Sequence, residues 1–415
     1  MTPTFFTAAA TPVATVPAEP PLLGMARLMR RAFAGHDLVP LGTALIQRAA
    51  DNDNDANALM DLSTVLQLQG LRELGLATLA QALKMRRLYE LPAEQPPLLQ
   101  VLALMGPGDL MANMPLPFLV ERSDISLRLL YLQPGQPLPL PLPAHDVAIV
   151  AVSESDANRA LLDELAALLP AWPKPVLIQP AAIARTSRSQ AFRHLGGVPG
   201  LQMPASMRVP RTALQALAAG QARLGDLLPG GAFPIIVRPV DSHAGNGLAK
   251  VDAATDLAGY LVDSADTDFF ISHFIDYRSA DGLYRKYRIV IVDGVAYAGH
   301  MGVSAHWMIH YLNAGMTESA EKRAAEACFM REFDSGFARR HAAALAAIPQ
   351  RLSLPYLVMD CAETAAGELL VFEVDPGCVV HSMDPVDLFP YKCEPMARVF
   401  AAFRALLLRA TGAVG

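Results

Sequence analysis

Apolar positions follow two rhythms along this chain. Between Leu22 and Tyr89 they recur every three or four residues, and beyond Leu98 they gather in short runs. The clearest helical stretch is Ala56 to Tyr89. Leu59, Leu62 and Leu66 precede a break at Gln69-Gly70, and Leu74, Leu79, Ala82 and Leu83 follow it. This spacing predicts two amphipathic helices around a turn. Asn57 or Asp55 is suited to cap the first. Small residues at Ser63, Gly75 and Ala82 would let the pair approach closely. Helical patterning starts near Leu22 and runs past Asp37, so 22–92 reads as one helical segment. Residues 1–21 carry Thr, Ala and Pro without periodicity, the pattern of a disordered tail.

After Pro92 the period changes. Leu98–Met105, Ile125–Leu132, Val147–Val152 and Val176–Ile178 are apolar runs of strand length, with a helix expected from Asp156 to Leu169. Strands alternating with helices or loops predict a small parallel α/β layer over 98–184. The Pro-rich Gln133–Pro143 is an extended surface connection. A new unit opens with Arg185–Arg211. Ile235–Pro239 is a strand carrying Arg238, Asp241–Gly247 a hairpin loop, and Leu248–Val251 the return strand. Phe269–Ile275 is a further strand. Tyr287–Val292 and Val295–Met301 flank Asp293-Gly294, a strong hairpin turn signal. Glu318–His341 is a polar helical stretch. Tyr356–Cys361 and Leu369–Val374 form a last hairpin, and Ala397–Ala410 a closing helix.

Composition narrows the classes. At 415 residues, with 52% hydrophobic and 18% charged positions, the chain can fill the cores of two or three domains. A net charge of −6 at pH 7 makes no electrostatic case for nucleic acid. Cys328, Cys361, Cys378 and Cys393 show no CxxC spacing, which suits a reducing compartment and indicates neither a zinc site nor a disulfide framework. There is no basic region followed by an apolar core at the N-terminus and no apolar run of membrane-span length, so a soluble, cytoplasmic protein is expected.

Candidate chemistry concentrates in the last hairpin. Glu373 and Asp375 are two apart on a strand and share a face, and the hairpin can bring Asp360 beside them. Three carboxylates on one patch need positive charge between them. Oxygen-only ligation suits Mg²⁺ with a bound phosphate; the alternative is a solvated sheet face. Gly245 and Gly247 permit close backbone approach to a ligand, or mark an ordinary flexible hairpin. Arg288 points with Val290 toward a sheet interior, where a triphosphate or a structural carboxylate would be its partner. Gly106-Pro107-Gly108 lacks the Lys-Ser/Thr of a phosphate loop. His306 and His310 have i, i+4 spacing for zinc but no third ligand.

The helices of 22–92 resemble a tetratricopeptide pair, which implies either a peptide-docking surface for a protein partner or a packing appendage. Residues 98–412 resemble the ATP-grasp superfamily of carboxylate–amine ligases, of the glutathione synthase and ribosomal-protein glutamate ligase type. Phe233–Pro239, the glycine loop, Phe270–Ile275, Arg288, Asn313-Ala314-Gly315 and the acidic hairpin follow in the superfamily's order. The resemblance implies an α/β (α+β) fold: helical hairpins, a pre-ATP-grasp α/β domain, then two subdomains with antiparallel sheets over 185–268 and 269–415. It implies ATP held by Arg188, Arg238, Ser242, Gly245, Gly247 and the hinge Ser272, His273, Phe274 and Ile275. It implies two Mg²⁺ ions on Asp360, Glu373 and Asp375. Arg288, His300 and Asn313 would face the reacting groups, with Lys286 or Lys392 near the substrates. The substrates would be a small-molecule or peptide carboxylate and an amine, the product an amide, and relatives are often oligomeric. Three departures stand out: Arg238 for the usual Lys, Asp375 for the usual Asn, and His300 where an Arg is common. The rival readings are a kinase on the same fold, a non-catalytic nucleotide-binding scaffold and a protein-modifying ligase.

Overall fold

The computed structural model describes residues 20–242 and 245–412. The expected tail lies almost wholly outside these residues, as do His243 and Ala244 of the glycine loop. Helices α1 (Met25–Phe33), α2 (Val39–Asp51), α3 (Ala56–Leu68) and α4 (Arg72–Met85) come first. Asp55, and not Asn57, caps α3, its carboxylate accepting from Ala58 N at 2.8 Å. The close approach of α3 and α4 rests on small residues: Ser63 Oγ donates to Gly75 O at 2.8 Å, and a Cβ on Gly75 would stand 2.6 Å from Gln67 Cγ.

The second helix does not run to Tyr89. It stops at Met85, and Leu88–Leu91 form strand β1. The reason lies outside the local pattern. β1 pairs antiparallel with β3 (Ile125–Tyr131) and so satisfies backbone groups that β3 would otherwise leave exposed at a sheet edge. β2 (Leu99–Met105), β3, β4 (Val147–Val150) and β5 (Val176–Leu177) are parallel, giving the order β1-β3-β2-β4-β5. Helix α5 (Arg159–Leu168) lies between β4 and β5 in sequence.

Leu22, Ala56, Met60, Leu79, Ala82 and Leu83 belong to the same core as the parallel sheet. That face of the helical segment is therefore covered by the chain itself and is not an open peptide groove. A smaller core of Leu28, Leu38, Leu45 and Val65 holds α1, α2 and α3 to one another.

After α6 (Arg188–Leu195) and the short β6 (Leu201–Gln202), two further sheets follow. The smaller takes β7 (Ser206–Pro210), β8 (Ile235–Pro239), β9 (Ala249–Val251) and β10 (Asp268–His273) in the antiparallel order β7-β10-β8-β9. Its own core includes Val209, Val237, Phe269 and Ile271. Strand pairing thus keeps β10 with the small sheet, one strand past the expected boundary at 268. The larger sheet has the order β12-β11-β13-β14-β6, from β11 (Tyr284–Val292), β12 (Val295–Ser304), β13 (Tyr356–Glu363) and β14 (Leu369–Asp375). It is antiparallel except where β6 joins β14. Tyr287, Ile289 and Ile291 pack into the main core with the closing helix, here α7 (Cys393–Ala410). The architecture is α/β, with N-terminal helices, a parallel layer and two antiparallel sheets.

Candidate active site

One rung across the larger sheet carries most of the candidate chemistry. The register pairs His300 with Arg288, Arg288 with Asp360, and Asp360 with Glu373. β-bulges follow Arg288 and Asp360 in the flanking pairs, and such bulges re-aim side chains next to sites. Alternation puts Lys286 on the same face as Arg288. Arg288 grips Asp360 with two bonds of 2.8 and 3.0 Å, and Lys286 Nζ lies 2.7 Å from the same carboxylate. Arg188, at the start of α6, reaches Glu373 at 2.7 Å.

The protonation states follow from these pairings. Burial works to raise the Asp360 carboxyl, but Arg288 and Lys286 outweigh it and hold the group well below the usual carboxylate range. Burial likewise opposes ionisation of Glu373, and Arg188 and Lys286 pull it below its ordinary value. For Arg288 the buried Asp360 outweighs desolvation and raises its pKa. His300 is pushed well below 6.5, first by burial and then by Arg288 and Lys392; it is neutral and lies tilted against the Tyr311 ring with centroids 4.4 Å apart.

The three expected metal ligands do not share one arrangement. Asp360 is already engaged by two cations. Asp375 holds the Gly377 N–H at 2.7 Å, and no cation among the described residues is within ion-pair distance of it. Burial, with Glu373 adding, pushes Asp375 up to about 6. A Cβ on Gly377 would stand 2.6 Å from Ser153 Oγ and 3.1 Å from Asp375 Oδ1, so the end of β4 meets the end of β14 here. Ser153 Oγ is buried with no hydrogen-bond partner among the described residues. No group of three His, Cys, Asp or Glu among the described residues is assembled for a metal. The donor chemistry of Glu373 and Asp375 fits Mg²⁺, an all-oxygen pair with unneutralised charge on Asp375. Asp360 in this arrangement is a structural partner of Arg288, the alternative that the sequence left open.

The opposite wall is the small sheet. Arg238 has no carboxylate within ion-pair distance among the described residues. It donates to the Ser242 hydroxyl at 3.2 Å and to the Ser242 carbonyl, fastening the base of the glycine loop. Burial, reinforced by Arg188, brings its pKa down to about 10. Gly247 adopts φ +65°, and a Cβ there would stand 2.7 Å from the Pro239 ring. Gly245 is also left-handed, at +78°. Arg188 and Arg238 have Glu373 alone between them, and this surplus of positive charge beside a hairpin of left-handed glycines makes an anion-attracting wall.

The expected hinge is partly occupied by its own chain. Ser272 is in the ladder opposite Ser206 and Ile236, His273 Nε2 pairs with Pro229 O at 3.0 Å, and Phe274 N donates to Pro234 O at 3.2 Å. The Phe274 ring meets Trp307 edge-on, with Lys250 Nζ 4.9 Å from its centroid, and Ile275 packs nearby.

Asn313 lies exposed in a short 3₁₀ turn. The stretch carrying His306 and His310 is not helical, so their i, i+4 spacing puts them on no common helix face. Lys392 is not at an open mouth: it is 5% exposed and pairs with Glu326 at 3.3 Å and Asp384 at 3.1 Å. Glu326, fully buried, also accepts from Met301 N, Tyr311 OH and Tyr391 OH.

Sequence reasoning missed Ser153 and Glu154. The available signal was their place just past the C-terminal end of a parallel strand, where open α/β sheets bind ligands. Burial, aided by Asp241 and Asp375 against Arg159, pushes Glu154 up to about 7. A cavity of about 350 Å³ opens beside it, between Asp156, Arg185, Arg208, Asp241 and Phe270.

No family model and no curated protein matches the chain. Solved structures do. D-alanine–D-alanine ligase from Bacillus anthracis complexed with ATP aligns at 14% identity and TM-score 0.46, covering 77% of this chain and 100% of that one. VanG D-Ala:D-Ser ligase from Enterococcus faecalis aligns at 14% identity and TM-score 0.45, over 75% of this chain and 100% of that one. A second structure of the B. anthracis ligase gives 13%, 0.42, 77% and 100%.

Proposed function

We propose that this chain is an ATP-dependent carboxylate–amine ligase of the ATP-grasp type, working through an acyl phosphate. The observation that carries the reading is Arg238. It is a mostly buried cation beside Arg188 with no carboxylate within ion-pair distance among the described residues; Glu373, the acid whose charge it feels, is already bonded to Arg188, and this surplus of buried positive charge is costly unless an anion arrives. Arg238 and Arg188 would neutralise phosphate oxygens of ATP, bidentately and with charge assistance. Glu373 and Asp375 would hold Mg²⁺, whose chemistry there is to draw off phosphate charge. Lys286 and Arg288 hold positive charge where an anionic acid would be activated. The glycine loop would exclude water from the acyl phosphate.

In the balanced reaction, a carboxylate oxygen attacks the γ-phosphorus and ADP leaves. An amine then attacks the acyl carbon, inorganic phosphate leaves, and the amine's proton is lost to solvent or a nearby base. His300 is neutral, so it contacts substrate as an uncharged donor or acceptor and not as a cation.

The test is ATP turnover across panels of carboxylates and amines, with Glu373→Ala beside the parent chain. ADP and phosphate release that requires both an acid and an amine supports the ligase. A stable phosphorylated product would mean a kinase, and nucleotide binding without turnover a scaffold. Unchanged turnover in a folded Glu373→Ala protein removes the proposal.

A further inference from the structure

The N-terminal helices reach the site from an unexpected side. Arg30 and Phe33 are three apart on α1 and share a face. The Phe33 ring lies 5.6 Å from the ring of His381, and Phe118 closes on the same imidazole at 6.4 Å. Arg30 donates to Ser382 O at 3.0 Å and pairs with Glu121, close after Phe118. The loop after β14 is held from its other side by Arg288, which donates to Val379 O at 2.9 Å. His381 is thus fixed between a helix added ahead of the parallel layer and the central cation of the catalytic rung.

The ring has a definite polarity. His381 Nδ1 accepts from Met383 N at 3.1 Å, which assigns the ring proton to Nε2 in the neutral form. Burial, with Lys392 and Arg288 nearby and Asp384 opposing, keeps it neutral, down to about 4. An uncharged N–H donor therefore stands near Arg288, one of the cations that would receive an acid.

We propose that α1 is a wall of the substrate site, with Phe33 and Arg30 as positioning residues that hold His381 as a hydrogen-bond donor to the carboxylate-bearing substrate. The identity of the ligand rests on the ligase reading; the positioning does not. On this view the helical segment is built into the catalytic unit. Its role is not that of a docking appendage, and the aromatic clamp selects among acids by where it sets one N–H.

Histidine-¹⁵N NMR on the full chain tests both parts. The parent protein should show one imidazole in the Nε2–H tautomer that does not titrate between pH 5.5 and 8, assigned by its loss in His381→Gln. In Phe33→Ala and Arg30→Ala that signal should move toward mixed tautomers and titrate nearer the ordinary value, while Phe33→Tyr restores it. Acetate, L-alanine and L-glutamate, titrated with ATP and magnesium present, should include a carboxylate that shifts the signal. With an acid the enzyme turns over, Phe33→Ala should raise its KM roughly three- to tenfold, the worth of one hydrogen bond, and leave the KM for ATP alone. His381→Gln, which keeps an N–H donor, should stay nearer the parent than His381→Ala.

An unchanged His381 signal in both α1 variants overturns the positioning. A signal that no carboxylate moves overturns the donor role. Equal rises in both KM values overturn the specific placement of the acid by α1. Absence of ATP turnover in the parent protein defeats the ligase reading, and the NMR signals still decide the proposal.

Discussion

Replacing Arg238 by Met should make the ligand-free protein more stable and its nucleotide binding weaker. Met keeps most of the apolar stem and removes the charge. Lowering to about 10 from an ordinary guanidinium value disfavours the charged state by roughly 3 kcal/mol, at ~1.4 kcal/mol per unit. The folded-state value is depressed, so the penalty is complete at every pH below about 10 and fades only as the pH rises through that value. The bonds to Ser242 return part of it, at about 0.5–1.5 kcal/mol each. The net gain expected at pH 7 is therefore up to about 2 kcal/mol, read as a higher urea midpoint at constant slope. With ATP and magnesium the order should reverse. A charge-assisted bond to phosphate is worth about 1.5–3 kcal/mol, so calorimetry should show affinity falling roughly ten- to hundredfold. A less stable ligand-free variant with unchanged ATP affinity would refute the reasoning, because Arg238 would then be a structural cation.

Asp360→Asn should behave oppositely. It strands Arg288 and Lys286, both bonded to a carboxylate 1% exposed, and should cost about 3–5 kcal/mol in denaturant unfolding with or without nucleotide. Glu154→Gln should have a pH-dependent effect. The folded-state pKa is raised from 4.5 to about 7, so the parent loses stability as pH climbs through that window and stays lower above it. The variant should match the parent near pH 4.5 and exceed it by up to roughly 3 kcal/mol at pH 8; an equal difference at both pH values would discount the burial argument. Gly247→Ala forces a side chain into a left-handed position 2.7 Å from Pro239, at about 1–2 kcal/mol for the backbone alone. It should weaken the stabilisation by ATP in thermal melts, and parent-like ATP protection would show that the loop does not need this conformation.

The strands of both hairpins around the site were legible because their signals are local. Asp293-Gly294 turns with φ +50° and +79°, as the dipeptide requires, and the alternation of β14 put Glu373 and Asp375 on one face. The parallel layer was legible for the same reason, through buried apolar runs bounded by turns. Two readings failed where a distant partner decided. Leu88–Leu91 continues a helical pattern yet becomes a strand, because β3, some forty residues on, offers an unpaired edge. Lys392 reads as a loop cation near substrate yet is buried, because Glu326 lies within a salt bridge of it.

What the sequence by itself determined is which residue types stand at which alternation: acids two apart on β14, cations two apart on β11, glycines where the backbone turns left-handed. Those follow from periodicities of two and 3.6 and from glycine's missing Cβ. Only the tertiary structure decided who neutralises whom. Cross-strand register placed His300, Arg288, Asp360 and Glu373 in one rung. Chain crossings brought Arg188 to Glu373 and Phe33 to His381. Charge neutralisation depends on distances of a few ångströms between segments far apart in sequence, and no local pattern encodes them.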